Sequence, residues 1–282
     1  MNKYCRIVNL YSGSGGNATF IRVGDHSILI DAGKSARALC RALCDIGEGI
    51  KNVNAIFITH EHTDHVSALE VIAKKNAIPI HMTETSALRF DERTSPCLFS
   101  RLILHSPEFC ERIGNMTVRS FCTPHDSRMS VGYRIEFELD GCQHAIGYAT
   151  DIGYVSEEIR KNLLGCEAVV IESNHDVDML MTGPYPRELK QRVASKRGHL
   201  SNCECAEFAA ELAENGTRAF MLAHLSKENN EPCLASDEVG KMLEPYGATL
   251  AVAHPELPCE LEICFGEEWL RAEREIYNPW NA

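Results

Sequence analysis

Residues 55–65 read AIFITHEHTDH: a short apolar run that ends in His60, His62, Asp64 and His65, followed by VSALEVIAKK (66–75) with the spacing of a helix. Four metal-ligating side chains within six positions form a specific pattern, because imidazole and carboxylate are the donors that divalent ions recruit. On extended backbone, residues two apart point the same way, so His60 and His62 can converge on one ion. Asp64 and His65 lie where loop gives way to helix. They can face a second ion ~3.5–4 Å from the first, the spacing of two-metal hydrolase sites.

Two histidines and their neighbours cannot fill two coordination shells, so further ligands are expected at the ends of other strands, where rigid scaffolds place functional groups. The chain offers three: TVRSFCTPH ends in His125, AIGYAT is followed by Asp151, and RAFMLAH ends in His224. A donor set rich in imidazole and containing carboxylates suits zinc or manganese better than magnesium, which prefers all-oxygen octahedra.

Composition fits an ordinary globular protein. The 282 residues are 44% apolar and 24% charged, enough to bury a sizeable core, and one large domain spanning 1–282 is the expectation. A net charge of −12 argues against coating nucleic acid through bulk positive charge, so a polyanion would need a local site. No run reaches the ~18 apolar residues of a membrane span, and MNKYCRIVNLYSGSGG lacks a signal-peptide core. The 13 cysteines, an odd set without a Cys-x-x-Cys pair, read as reduced, mostly buried thiols of a cytoplasmic protein.

Apolar runs rich in Val, Ile, Phe and Thr alternate with segments of helical period, which is α+β or α/β patterning. Strands are expected near 4–11, 18–24, 26–31, 54–59, 115–123, 131–138, 143–150, 167–172, 217–223 and 248–253. Helices are expected near 34–45, 66–76, 156–164, 187–196, 201–214 and 236–245. Tight turns such as Gly24-Asp25 join the first three strands as antiparallel hairpins, which disfavours a doubly wound parallel sheet.

With these residues in view, the chain resembles the metallo-β-lactamase-fold hydrolases, whose motifs are a strand-end Asp, His-x-His-x-Asp-His, and then single His, Asp and His. Here they are Asp31 in ILIDAG, residues 60–65, His125, Asp151 and His224. The resemblance implies a four-layer αββα sandwich with a dinuclear site at one edge of its sheets. It implies that His60, His62 and His125 bind one metal, that Asp64, His65 and His224 bind the other, and that Asp151 bridges, with Asp31 behind the ligands. SGSGGNATFI, TPHDS, YATDIGYV, ESNHD, GHLSN and LAHLSKENN further resemble the YycJ (WalJ, VicX) proteins, single-domain DNA exonucleases by family description. His-Leu-Ser-Asn followed later by His-Leu-Ser is also similar to ribonuclease Z, which implies that His199 assists phosphodiester cleavage, oriented by Glu172. Residues 152–223 are too few for the clamp domain inserted in some larger relatives.

Independently, residues 187–199 carry Arg187, Lys190, Arg192, Lys196 and Arg197 against a single Glu188, a basic stretch suited to a phosphate backbone or simply to a solvated helix face. SGSGGNA, including Asn17, is either a hairpin turn or a phosphate cradle, and it lacks the Gly-Lys-Ser/Thr of a nucleotide loop. His175 is expected at the edge of the site. The central His62 weighs against the flavodiiron oxidoreductase variant of the fold, whose pattern at this place resembles His-x-Glu-x-Asp; Glu61, one position out of that register, is expected to point away. The expected activity is metal-assisted hydrolysis of a nucleic acid, DNA before RNA. Its rivals are a thioester or lactam hydrolase of the glyoxalase II type and a non-catalytic metal-binding regulator.

Overall fold

The computed structural model describes residues 5–139 and 141–263. Seven strands form the first sheet: β1 (Cys5–Tyr11), β2 (Ala18–Val23), β3 (His26–Ile30), β4 (Ala55–Phe57), β5 (Ile80–Thr83), β6 (Leu102–His105) and, beside β1, the last strand of the chain. The second sheet contains β7 (Cys110–Ile113), β8 (Met116–Thr123), β9 (Ser130–Leu139), β10 (Cys142–Ala149), β11 (Ala168–Glu172), β12 (Ala219–Ala223) and β13 (Thr249–Val252). The closing strand of the first sheet is β14 (Cys259–Ile263). Both sheets are mixed: β1–β2–β3 pair antiparallel and β3–β4–β5–β6 parallel, while β7–β10 pair antiparallel and β10–β13 parallel. The hairpin arithmetic of the first three strands excludes a doubly wound sheet, as expected.

Why the strands read as continuous apolar runs follows from the layering. In β1–β3, Ile7, Ile21, Ile28 and Ile30 enter the core between the sheets, while Val8, Leu10, Phe20 and Leu29 face helices that carry Leu39, Leu43, Leu69 and Ile72. In β11 and β12, Val170 and Met221 point inward, and Val169, Ile171, Phe220 and Leu222 face helices that carry Ile159, Leu163, Phe208, Leu212 and Val239. Each sheet is covered on both faces, so period-two alternation selects between two apolar layers rather than between core and water. The result is the αββα sandwich.

All ten expected strands form. Four further strands, β5, β6, β7 and β14, lie outside the expected set. Helices at 84–87, 96–99 and 177–182 were also not anticipated. The helix expected over 66–76 starts earlier and breaks into Thr63–Val66 and Leu69–Lys75, because the Ala68 N–H is drawn to the Ala32 carbonyl of the Asp31 loop. The helix expected over 187–196 ends at Val193, where the chain turns back so that the His199 N–H bonds the Val193 carbonyl. The expectation of mostly buried thiols needs correction. Cys5, Cys166, Cys205 and Cys259 are buried, but Cys44, Cys97, Cys110, Cys142 and Cys233 are exposed on strand edges, turns and helix surfaces; Cys264 lies outside the described residues. Among the described residues, no helix is long and apolar enough to cross a membrane.

Candidate metal centre

The ends of β3, β4, β8, β10, β11 and β12 meet along one edge of the sandwich. β4 runs on as Ile58-Thr59-His60, and His62 opens the helix Thr63–Val66 that carries Asp64 and His65. His125 follows β8, Asp151 follows β10, and His224 follows β12 directly. Asp31 (φ 63°), Asp151 (φ 55°) and His224 (φ 58°) are the only non-glycine residues with left-handed backbone among those described. Such strain costs about 1–3 kcal/mol per residue and persists only where the surroundings enforce it. Here the Asp31 N–H bonds the Phe57 carbonyl at 2.8 Å and the His224 N–H bonds Ser12 Oγ at 2.7 Å. Gly33 is needed for a different reason: a Cβ there would lie 1.5 Å from the Asp64 carbonyl oxygen.

Two groups of ligand-type atoms result. Those of His60, His62 and His125 lie within 4.8 Å of one another, and so do those of Asp64, His65 and His224. Asp151 stands between them, with Oδ2 3.4 Å from His65 Nε2, and Oδ1 3.4 Å from His224 Nε2 and 3.8 Å from His125 Nε2. His60 Nε2, Asp151 Oδ2 and His224 Nε2 are buried without any hydrogen-bond partner among the described residues. Orphaned buried polar atoms are costly, and three of them facing one small space fit cations.

Protonation tells the same story. Burial, reinforced by the neighbouring imidazoles, pushes His60 well below the ordinary histidine range, and burial lowers His125 as well. Burial opposes the ionisation of Asp64 and Asp151, yet the surrounding histidines outweigh it and hold both carboxyls below their usual range. Burial likewise opposes charge on His65, but Asp31 and Asp151 push its pKa up to about 10, and Asp151, Asp64 and Glu172 raise His224 well above normal. In the metal-free protein, protons sit where cations would.

Two carboxylates act behind these groups. Asp31 is fully buried; Oδ1 accepts from the Thr59 N–H at 2.8 Å and Oδ2 lies 2.7 Å from His65 Nδ1, which leaves Nε2 to face inward. Glu172 is equally buried, with Oε1 2.8 Å from Nδ1 of both His199 and His224, and Oε2 accepting from the N–H of Ile152 (2.7 Å) and Leu200 (3.3 Å). Asp151, Glu172, His199 and His224 are close enough to hold an ion themselves, but with both Glu172 oxygens occupied by these donors its role is orientation. His199 is held by one ring nitrogen, and its side chain keeps 20% exposure.

Other expected site residues fall less simply. Asn17 is buried, locked by Gly13 through both amide atoms, and its Nδ2 lies 3.2 Å from Asp64 Oδ2 and 3.1 Å from His65 Nε2. These contacts tie the glycine-rich turn to Asp64 and His65. His175 is buried three residues beyond β11 and joins none of the ligand groups; its Nδ1 has no partner among the described residues. Glu61 does point away, accepting from the Arg128 N–H at 2.7 Å.

The basic stretch is mostly spent on the protein itself. Arg197 donates to the His125 carbonyl from Nε (3.1 Å) and Nη2 (3.0 Å), Arg192 Nε bonds Asp126 Oδ2 at 2.5 Å, Lys190 Nζ bonds the Met181 carbonyl at 2.8 Å, and Lys196 lies over the Tyr154 ring. Arg187 lines a separate cavity with Met181. Carbonyls, Asp126 and the Tyr154 ring thus engage Lys190, Arg192, Lys196 and Arg197, and of the five cations Arg192, its side chain 60% exposed, is the one that lines the cleft beside His199. Thr59, which lies 3.0 Å from His60 Nδ1 as well as bonding Asp31, and Asn174, whose Nδ2 donates to the His224 carbonyl at 2.7 Å, escaped sequence reasoning although each adjoins a motif residue.

Comparison with known proteins agrees with this geometry. Residues 26–225 match the beta-lactamase superfamily domain. The chain is 31% identical over 259 residues to "Exodeoxyribonuclease YycJ" of Bacillus anthracis, covering 90% of this chain and 97% of that protein. It is 33% identical over 223 residues to "Exodeoxyribonuclease WalJ" of Streptococcus pneumoniae, covering 78% and 81%. Among solved structures, the metallo-beta-lactamase fold protein YhfI from Bacillus subtilis superposes with a TM-score of 0.67 at 18% identity, covering 92% of this chain and all of the other. Zn(2+)-bound PqqB from Methylobacterium extorquens does so with 0.63 at 19%, covering 91% and 100%. Fold, motif order and relatives coincide: the chain belongs to the metallo-β-lactamase superfamily, on the branch that contains the YycJ and WalJ proteins.

Proposed function

We propose that this protein is an exonuclease that hydrolyses phosphodiester bonds of DNA with a pair of divalent ions, zinc or manganese, and without a clamp domain between Asp151 and His224. The observation that carries the reading is the meeting of both ligand groups around the buried Asp151 carboxylate, beside a half-open His199. The relatives' printed names, both exodeoxyribonucleases, favour DNA over RNA and over a thioester.

In this reading His60, His62 and His125 would hold one ion, Asp64, His65 and His224 the other, and Asp151 both. Such a pair supplies Lewis acidity that lowers the pKa of water and neutralises charge developing at phosphorus. The chain's own groups do the rest. Asp31 and Glu172 keep the Nδ1 atoms of His65 and His224 as donors, so each Nε2 lone pair faces the centre. His199 bonds Glu172 through Nδ1, which leaves its Nε2–H to protonate the leaving oxygen as the phosphorus–oxygen bond breaks. Burial opposes a charged His199, but Glu172 outweighs it and raises its pKa, which favours the protonated ring that this step needs.

The test is hydrolysis of end-labelled single- and double-stranded DNA by the metal-loaded protein, with Asp64→Ala as control and a thioester in parallel. Release of nucleotides from DNA by the unmodified chain alone supports the reading. Thioester cleavage without DNA cleavage overturns it in favour of an acyl hydrolase, and full metal loading without any hydrolysis points to a non-catalytic protein.

A further inference from the structure

A cleft of about 330 Å³ opens against the candidate metal centre, its wall including both His199 and His224. That volume sits at the low end of the ~300–1,000 Å³ typical of small-ligand sites, room for a single nucleotide and not for a duplex. Its lining combines apolar Leu189, Val193 and Leu225, the half-buried Tyr185 and the serines Ser14 and Ser226 with two cations, Arg192 and Lys227, and two acids, Asp126 and Glu228.

The cations are not equivalent. Arg192 is committed to Asp126 through a 2.5 Å contact, which cancels both charges locally. Lys227 is exposed, and no ion pair with a described residue holds it. A tyrosine ring and apolar side chains in one lining, an ammonium group without an ion pair to a described residue and the adjoining His199 and His224 form a set that fits a base, a phosphate and the bond between nucleotides. An aromatic platform reads no particular base, because every base offers a π-face.

We infer that this cleft holds the terminal nucleotide of the strand, with Tyr185 stacking on its base and Lys227 pairing with its phosphate. The inference rests on the nuclease reading above and deepens it: a pocket for one nucleotide beside the reacting phosphate makes the enzyme count from an end. Neither residue belongs to the basic stretch that the sequence singled out. Lys227 lies just after the last histidine motif, and Tyr185 lies in the turn before the helix Arg187–Val193.

The probes are deoxyadenosine monophosphate and deoxyadenosine, bound to the metal-loaded full chain and measured calorimetrically, alongside kcat and KM on end-labelled DNA. Tyr185→Ala should weaken both ligands about tenfold and raise KM on DNA by a similar factor, with Tyr185→Phe restoring both, since the ring and not the hydroxyl stacks. Lys227→Ala should weaken the monophosphate about tenfold and leave the nucleoside unaffected. Unchanged monophosphate affinity in Tyr185→Ala and Lys227→Ala overturns the subsite, even where DNA is cut. If the unmodified enzyme binds the monophosphate as described but cleaves no DNA, the nuclease reading fails while the subsite stands. Thermal melting of each variant separates a lost contact from a lost fold.

Discussion

Asp31→Asn is the sharpest probe of how the fold tunes its ligands. Asparagine tolerates the left-handed backbone of this position (φ 63°), and it can keep the 2.8 Å bond that Oδ1 accepts from the Thr59 N–H. What changes is the partner of His65. An amide NH2 in place of Oδ2, 2.7 Å from His65 Nδ1, turns that nitrogen into an acceptor and moves the ring proton to Nε2, the atom needed by a metal. Losing one buried bond to a charged group costs about 1.5–3 kcal/mol, which agrees with the 10–100-fold fall in metal affinity, about 1.4–2.7 kcal/mol, expected when such an orienting carboxylate is removed. The loss should fall on the ion assigned to Asp64, His65 and His224, and largely spare the one assigned to His60, His62 and His125. Competition titration against a chromophoric chelator resolves the two affinities, and the metal-free variant should melt lower than the parent, since it loses the buried His65–Asp31 pair. Two unaltered affinities would refute the argument that Asp31 sets the tautomer of His65.

Four further outcomes follow from the same geometry. His199→Ala should slow DNA hydrolysis by roughly 10²–10⁴-fold with both ions retained, as metal analysis alongside initial rates would show; loss of metal instead would make it a ligand. Because His65 is pushed up to about 10, loading the metal-free protein at pH 7 must displace protons, seen as a buffer-dependent heat of binding, and affinity should fall as pH is lowered. The sign for stability is the reverse: a raised histidine pKa stabilises the metal-free protein fully below its ordinary 6.5 and loses that contribution as pH rises towards 10, so the metal-free chain should melt lower at pH 9 than at pH 7. Gly33→Ala cannot place its Cβ 1.5 Å from the Asp64 carbonyl, so the helix Thr63–Val66 must shift, and near-complete loss of bound metal or of soluble protein should follow.

The sequence by itself determined a great deal here, for a physical reason. The ligands are appended to strand ends, and a strand announces itself through apolar periodicity, so His60, His125, Asp151 and His224 stand out as ionisable residues directly after apolar runs. The hairpin turns of β1–β3 were legible in the same way. Tertiary structure alone decided which cations remain free. A charge run such as residues 187–197 looks identical whether its side chains meet water or carbonyls, and only the return of that segment against the His125 loop commits Arg197 to the His125 carbonyl and Arg192 to Asp126. Likewise Asn17 looked like part of a phosphate cradle until Gly13 and Asp64 closed on its amide. Periodicity is a property of neighbours in the chain, whereas the pairing of a charge depends on neighbours in space.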